Sequence, residues 1–214
     1  EEKIVSSVKS RLAGYYLWLV PRANTLVYPR RTIKKNLLQE FPRFKSVNLN
    51  LDGLQTILVS VEERKPLALY CASAVNLAGN DGCYFLDEEG LIFAPAPSFS
   101  GVVYFTYATE RPLEHPLGGR FMTIEEFRPL PKFIETLTAL NIHPLALEVR
   151  DEEYILFLPH GGQILWRRGE DLSFVRLNLE AFLSDDAIKA QENFLDRILH
   201  LDLRTENKVF YKFK

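Results

Sequence analysis

The stretch that decides the fold is the last one, residues 201–214, which has the sequence LDLRTENKVFYKFK. Two short runs typical of β-strands flank a polar turn, and no further run follows the second one. A strand without a successor is expected at the edge of a sheet, where one row of backbone N–H and C=O groups has no partner. Such an edge can accept an extended peptide from another protein by strand addition. The alternative is that its lysines only guard the edge against aggregation.

Successive residues of this last run lie on opposite faces of the predicted strand. One face carries Val209, Tyr211 and Phe213, and the other carries Lys208, Phe210, Lys212 and Lys214. Together with the turn, the predicted partner-binding strand consists of Asn207, Lys208, Val209, Phe210, Tyr211, Lys212 and Phe213.

Composition and charge exclude several classes of function. The chain has 214 residues, of which 47% are hydrophobic and 25% charged, as is typical of one large or two small globular domains. Its formal net charge is −2 and its basic residues are scattered, so we predict no nucleic-acid partner. The apolar run at residues 15–20 is far shorter than the roughly 20 residues that span a bilayer, and residues 1–14 do not have the pattern of a signal peptide.

No motif of a catalytic or cofactor-binding site is present in the sequence. The four histidines have no metal-ligand spacing, and no phosphate-binding glycine loop or nucleophile elbow occurs. The acidic run at residues 87–89 could bind a metal, but a tight turn closed by Gly90 explains it better. We therefore predict that the chain is not an enzyme and has no metal, cofactor or small-molecule substrate. The four histidines are His115, His143, His160 and His200.

The two cysteines, Cys71 and Cys83, lie at the facing ends of two runs typical of strands. If these runs pair as a hairpin, the two side chains meet across the base of its loop, and we predict a disulfide. Such a bond would stabilise the fold by about 2–4 kcal/mol and would imply an oxidising compartment. The alternatives are two free buried thiols or, with no further ligand nearby, a metal pair.

The first part of the chain has the pattern of two helices followed by a hairpin. Apolar residues recur at helical spacing in residues 4–12 and again in 29–41. Between them, residues 15–27 are predicted to be an irregular connection. Residues 44–51 alternate with period two, and residues 56–61 return after a turn.

The second part of the chain alternates strands with helices and loops. A capping box at Thr123 and Glu126 begins a helical region, and a better helix follows from Pro131. A further helix is capped by Asp171, with Phe174, Val175, Leu177 and Phe182 predicted to face inward. The predicted strands are residues 67–70, 84–87, 91–93, 102–107, 145–149, 154–158, 163–166 and 198–203, followed by the last strand at 209–213.

Three segments of the chain are together similar to those of a known family. Residues 61–66, VEERKP, resemble the ER-x-P signature that closes the POTRA domain of the FtsQ/DivIB bacterial cell-division proteins. Residues 84–93, YFLDEEGLIF, resemble the hairpin that opens the second domain of that family. Residues 201–209, LDLRTENKV, resemble its closing DLR strand pair. The three segments occur in the family's order and the resemblance covers nearly the whole chain.

The resemblance implies an α+β fold in two domains. A small POTRA-like α/β domain is expected at residues 1–66, and a mostly antiparallel β-domain with flanking helices, ending in an edge strand, at residues 67–214. The POTRA fold has the order β-α-α-β-β, so its first strand is missing from the pattern found here. That strand is expected before Glu1, unless this chain departs from the fold. A short cytoplasmic tail and one membrane helix are likewise expected to precede this sequence.

The resemblance also implies a function without catalysis. The chain is expected to be the extracytoplasmic part of a single-pass cell-membrane protein, a scaffold of the divisome at the septum. The implied partners are FtsB/DivIC-like and FtsL-like proteins, which have one membrane helix each. A periplasmic POTRA chaperone that binds unfolded strands during outer-membrane assembly is the alternative, but no POTRA repeat or barrel is visible. A hydrolase or transferase with a dispersed site is the third possibility, and no motif favours it.

Two arginines are implied to take part in partner binding. In related division proteins, an arginine in the turn after a "v-x-L-G" strand holds an acidic residue of the partner. Arg168 is the nearest match here, with Arg167 in place of the usual glycine, and Arg204 of the DLR motif is the second candidate. A solvated turn is the alternative for Arg168. Because the last strand has no tryptophan, Tyr211 or Phe213 is expected to supply the aromatic anchor.

Overall fold

The structure is a computed structural model that describes residues 2–13, 15–16, 20–21, 28–53, 56–74, 82–206 and 208–214. The chain divides into two compact units, Glu1–Lys65 and Pro66–Lys214. The division falls one residue before the boundary predicted from the sequence. Each unit has a hydrophobic core of its own, and each is described by itself.

The first unit contains two helices and two antiparallel strand pairs among its described residues. Two-residue strands pair within the stretch that was predicted to be irregular. The hairpin β3–β4 is the one predicted, and each of its strands is slightly longer than expected. The elements are α1 (Glu2–Leu12), β1 (Tyr15–Tyr16), β2 (Val20–Pro21), α2 (Arg30–Glu40), β3 (Phe44–Asp52) and β4 (Thr56–Glu63).

The core of the first unit lies between α2 and one face of β3. Ile33 and Leu37 are fully buried on α2, one turn apart, as the helical spacing predicts. On β3 the alternate residues Val47 and Leu49 are buried, while Asn48 between them is exposed. Within the described residues the hairpin has no third strand, so the strand that would complete a POTRA fold is not among them.

The second unit is built on one large sheet with helices between its strands. Its first seven elements are β5 (Ala68–Tyr70), β6 (Tyr84–Leu86), β7 (Ile92–Pro95), β8 (Thr106–Thr109), α3 (Ile124–Phe127), α4 (Pro129–Leu137) and β9 (Ala146–Val149). The remaining seven are β10 (Glu153–Phe157), β11 (Gln163–Arg167), α5 (Leu172–Ser184), α6 (Asp186–Lys189), α7 (Phe194–Arg197), β12 (Ile198–Asp202) and β13 (Phe210–Phe213).

Within the described ranges the sheet has nine strands in the order β13-β12-β11-β10-β9-β8-β5-β6-β7. Five neighbouring pairs are antiparallel and three are parallel, which confirms a mixed α and β fold with a mostly antiparallel sheet. Two of the parallel pairs, β8–β9 and β11–β12, are joined by connections that contain helices. A parallel pair needs a long crossover connection, usually a helical one, whereas an antiparallel pair can be joined by a tight turn.

The main core fills the helix-covered face of the sheet. Trp166 of β11 is fully buried, and its ring lies 5.4 Å from the rings of Phe133 and Tyr154. Helix α5 contributes Val175 and Leu179 to this core. The predicted orientation of α5 was wrong in two of its four positions.

Helix α5 has two apolar stripes rather than one. Phe174 and Leu177, predicted to face inward, are 60% and 49% exposed, whereas Val175 is buried and Phe182 half-buried. Most positions around this helix are apolar, so the periodicity alone does not select the stripe that packs on the sheet.

The opposite face of the sheet is covered locally beside the disulfide. Cys71 and Cys83 are bonded to each other and buried, and they follow β5 and precede β6, which pair antiparallel as predicted. The aromatic rings of Phe85, Phe99 and Tyr104 pack around them. Phe99 and Tyr104 belong to the loop between β7 and β8, so this loop covers that end of the sheet. Strand β8 begins at Thr106 and not at residue 102 as predicted.

The tight turn at residues 87–90 is formed as predicted. The carboxylate of Asp87 accepts hydrogen bonds from the backbone N–H groups of Glu89 and Leu91, both at 2.9 Å. Gly90 has a φ of +71°, and a Cβ atom there would lie 2.9 Å from the ring of Phe127. Glycine is therefore required both by the backbone conformation and by the close approach of α3.

Candidate partner-binding edge

Strand β13 lies at one end of the strand order and pairs with β12 alone among the described strands. The N–H of Lys214 donates to the carbonyl of Arg197 at 3.1 Å, so the backbone of Lys214 points toward β12. In antiparallel pairs the direction of the backbone groups alternates from residue to residue. The N–H groups of Phe210 and Lys212 therefore also point toward β12. Those of Tyr211 and Phe213 point to the outer side of the sheet.

The other edge of the sheet, β7, is covered on its outer side. The N–H of Ile92 donates to the carbonyl of Gly119 at 2.9 Å, and the carbonyl of Ile92 accepts from the N–H of Gly118 at 2.7 Å. Pro95 at the end of this strand has no N–H to offer. Between the two edges, β13 is therefore the one whose outer backbone row is open within the described part of the chain.

The two predicted aromatic anchors of β13, Tyr211 and Phe213, pack against helices of their own unit. The ring of Tyr211 lies 5.5 Å from that of Phe182 on α5 and 5.7 Å from that of Phe194 on α7. The ring of Phe213 lies 5.5 Å from that of Phe194, and the guanidinium of Arg197 lies 5.0 Å above it. These contacts hold β13 on the helices, although Tyr211 remains 43% exposed.

Phe210 is the most exposed aromatic residue of β13. It lies on the face opposite Tyr211, and it is 53% exposed. Val209 is half-buried against the main core, so the alternation predicted for this run is seen in the structure. Lys208 and Lys212 are exposed. Asn207, the remaining residue of the predicted binding strand, lies outside the described residues.

Arg204 is held by carboxylates of its own unit. Its guanidinium donates to Asp202 at 2.9 and 2.5 Å and to Glu153 of β10 at 2.6 Å. The hydrogen bond with Asp202 raises the pKa of Arg204, and in turn the hydrogen bond from Arg204 lowers the pKa of Asp202 below its ordinary value. The pair fixes the turn that leads from β12 to β13.

Arg168 is likewise held by a carboxylate of its own unit. Its guanidinium donates to both oxygens of Glu126 at 2.9 and 3.1 Å, in the bidentate arrangement typical of arginine. Burial acts to raise the pKa of Glu126, but hydrogen bonds from Thr123 and Arg168 bring that pKa below its ordinary value. Glu126 of the capping box therefore already binds the guanidinium that, according to the resemblance, would bind an acidic residue of the partner. The role of Arg168 in partner binding stays a prediction.

Both arginines line a broad open basin of about 960 Å³ at the ends of strands β8 to β12. Five carboxylates and four guanidinium groups line it, so its charges nearly balance. Within the described residues Arg167 is the guanidinium of this basin that makes no ion pair, and it is exposed. Arg167 is therefore the uncompensated cation of this basin within the described residues.

We expect the Asp202–Arg204 pair to lose its stabilising effect in acid. Because the folded pKa of Asp202 is lowered, its contribution is complete above about pH 4 and is lost as the pH falls through the folded pKa. Replacing Asp202→Asn should cost about 0.5–1 kcal/mol at pH 7, since the pair is partly exposed. Urea unfolding from pH 7 to pH 2 should show this penalty shrinking.

The matched control is Asp151→Asn in the same basin, whose carboxylate makes no ion pair within the described residues. That variant should unfold like the parent at every pH. An Asp202→Asn penalty of equal size at pH 7 and pH 2 would contradict the proposed ionic bond.

The partners of the two arginines were missed by sequence reasoning. Glu126 precedes Arg168 by 42 residues, and Glu153 precedes Arg204 by 51 residues. The capping box at Glu126 was identified, but nothing in the local pattern pairs its carboxylate with a distant turn. The aromatic contacts of Tyr211 with Phe182 and Phe194 were missed for the same reason.

The described residues contain neither a metal cluster nor a helix that could span a membrane. No group of three or more histidine, cysteine, aspartate or glutamate side chains there is arranged to hold a metal ion. None of the helices in the described ranges is long and apolar enough to cross a bilayer. No known family model matches the chain. No curated protein matches it either.

Proposed function

We propose that this chain is a non-catalytic scaffold that binds an extended segment of another protein at the outer edge of β13. The observation that carries this proposal is the open backbone row of β13, set against the covered edge at β7. Main-chain hydrogen bonds at such an edge supply affinity, and side chains on the two faces supply specificity.

The particular class we propose is the extracytoplasmic part of a single-pass division protein similar to FtsQ/DivIB. The three motif resemblances support it, as does a first unit of two helices and a hairpin followed by a sheet unit that ends in an edge strand. The partners are then FtsB/DivIC-like and FtsL-like proteins at the division septum. The Cys71–Cys83 disulfide supports a place outside the cytoplasm.

The test is a calorimetric titration of this chain with the soluble parts of its FtsB-like and FtsL-like proteins. Micromolar or tighter binding supports the proposal. Binding of unfolded outer-membrane strands in place of these proteins would favour the chaperone alternative.

The first sixty or so residues of the full gene product give a second test, since a bitopic protein shows a short basic tail and about 20 apolar residues there.

The side chain of Phe210 should contribute to partner affinity but not to the stability of the fold. Replacing Phe210→Ala should weaken partner binding about tenfold, because an exposed aromatic beside the added strand loses its contact with the partner. The free energy of unfolding should change by less than about 0.5 kcal/mol, as for other exposed positions. Calorimetry and urea unfolding measure the two effects.

Phe213→Ala is the matched control on the same strand. It removes a ring that packs on Phe194 and Arg197, so it should lower the free energy of unfolding by more than Phe210→Ala does. If Phe210→Ala leaves binding unchanged, the open face beside β13 is not part of the interface.

A further inference from the structure

The open face of β13 carries a repeating pattern of charge and apolar surface. Lys208, Phe210 and Lys212 occupy alternate positions, and all three are exposed. In the described part of the chain neither Lys208 nor Lys212 has an ion-pair partner. Lys214, by contrast, donates from Nζ to the carbonyl of Asp196 at 2.7 Å. Two uncompensated cations therefore flank one exposed aromatic ring.

The neighbouring strand does not neutralise these cations. The residue of β12 opposite Lys212 is His200, and the one opposite Phe210 is Asp202. Asp202 is already bound to Arg204 at 2.9 Å. A strand added at the outer side of β13 is therefore in a position to supply the compensating charge.

A strand added to that outer side would place its residues directly opposite those of β13. Directly opposed side chains on one face lie about 5 Å apart, so opposite charges attract and like charges repel. The residues of the added strand on the other face would meet Tyr211, which is 43% exposed and packs on Phe182. That contact favours apolar side chains.

This inference rests on the proposed function of this edge. We propose that the partner segment is an acidic strand in which acidic and apolar residues alternate in a fixed order. On the open face it carries an acid, an apolar residue and an acid, opposite Lys208, Phe210 and Lys212. On the helix-covered face it carries apolar residues. A purely protective role for the lysines makes a different prediction, because it requires that no strand adds to this edge.

The experiment uses two synthetic peptides, VEVLVEV and VKVLVKV, each flanked by Gly-Ser at both ends. Fluorescence anisotropy measures their binding to the full chain at 50 and 500 mM NaCl. The acidic peptide should bind about tenfold more tightly at low salt, from two exposed charge pairs, and the ratio should fall at high salt. A double variant, Lys208→Glu with Lys212→Glu, should reverse the preference.

The outcomes separate this inference from the proposed function. Equal binding of both peptides, or a preference that survives the double charge reversal, overturns the acidic alternation. Failure of both peptides to bind the chain overturns it as well. If the soluble FtsB-like and FtsL-like proteins bind the parent and the double variant equally, the proposed function stands and this inference fails. If the acidic peptide alone binds, and the division proteins do not, the proposed function fails while the edge chemistry stands.

Discussion

Replacing Cys71→Ala together with Cys83→Ala should lower the free energy of unfolding of the second unit by about 2–4 kcal/mol. The bond joins residues 12 apart and so restricts the unfolded chain across residues 72–82. Both sulfurs are also buried beside β5 and β6, which form the middle of one half of the sheet. Urea unfolding followed by tryptophan fluorescence measures the change. In a Trp18→Phe background, the buried Trp166 is the one remaining tryptophan and reports on this unit.

Reductant gives the matched control for the disulfide. The parent should lose a similar amount of stability in reductant, and the double alanine variant should be insensitive to it. Thiol titration of the denatured, unreduced parent should find no free cysteine. Two reactive thiols in protein that has never met reductant would contradict the bond and remove its support for the proposed place outside the cytoplasm.

Replacing Tyr211→Pro should weaken partner binding on the order of a hundredfold. The N–H of Tyr211 points outward, so proline removes a donor that the partner strand needs, and its ring obstructs the approach of that strand. The pairing with β12 should survive, because it uses the backbone groups of Phe210 and Lys212. Calorimetry with the soluble division proteins measures the loss.

Tyr211→Ala separates the backbone effect from the side-chain effect. Both variants lose the ring that packs on Phe182 and Phe194, but only the proline variant also loses the outward N–H. The alanine variant should therefore keep much more of the affinity, once circular dichroism shows that both variants are folded. Equal binding by two folded variants would mean that the backbone of β13 does not pair with the partner.

Local patterns predicted the parts of the fold that depend on neighbours in sequence. The β5–β6 hairpin, the Thr123 capping box and the Asp87 turn are each set by residues within a few positions or by one short loop. The edge position of β13 was predicted because no strand-like run follows it in the sequence, and β13 does lie at one end of the sheet. The boundary implied by the resemblance, after residue 66, lies one residue from the division between the two compact units.

The remaining features depend on contacts that the local pattern does not contain. Helix α5 has apolar residues on most sides, so packing on the sheet, and not periodicity, decides that Val175 is buried and Phe174 exposed. Parallel pairing of β11 with β12 depends on the path of the chain through three helices. Arg168 and Arg204 were expected to be available to a partner, but Glu126 binds Arg168, and Glu153 binds Arg204 together with the neighbouring Asp202.

The most direct test of the edge-strand mechanism is amide hydrogen exchange, measured by NMR at single residues with and without the soluble FtsB-like and FtsL-like proteins. Strand addition predicts that the amides of Tyr211 and Phe213 exchange more slowly in the complex, because the partner strand accepts their hydrogen bonds. The amide of Ala94 on the covered edge β7 should not change. Unchanged exchange at Tyr211 and Phe213 in a saturated complex would contradict binding at this edge.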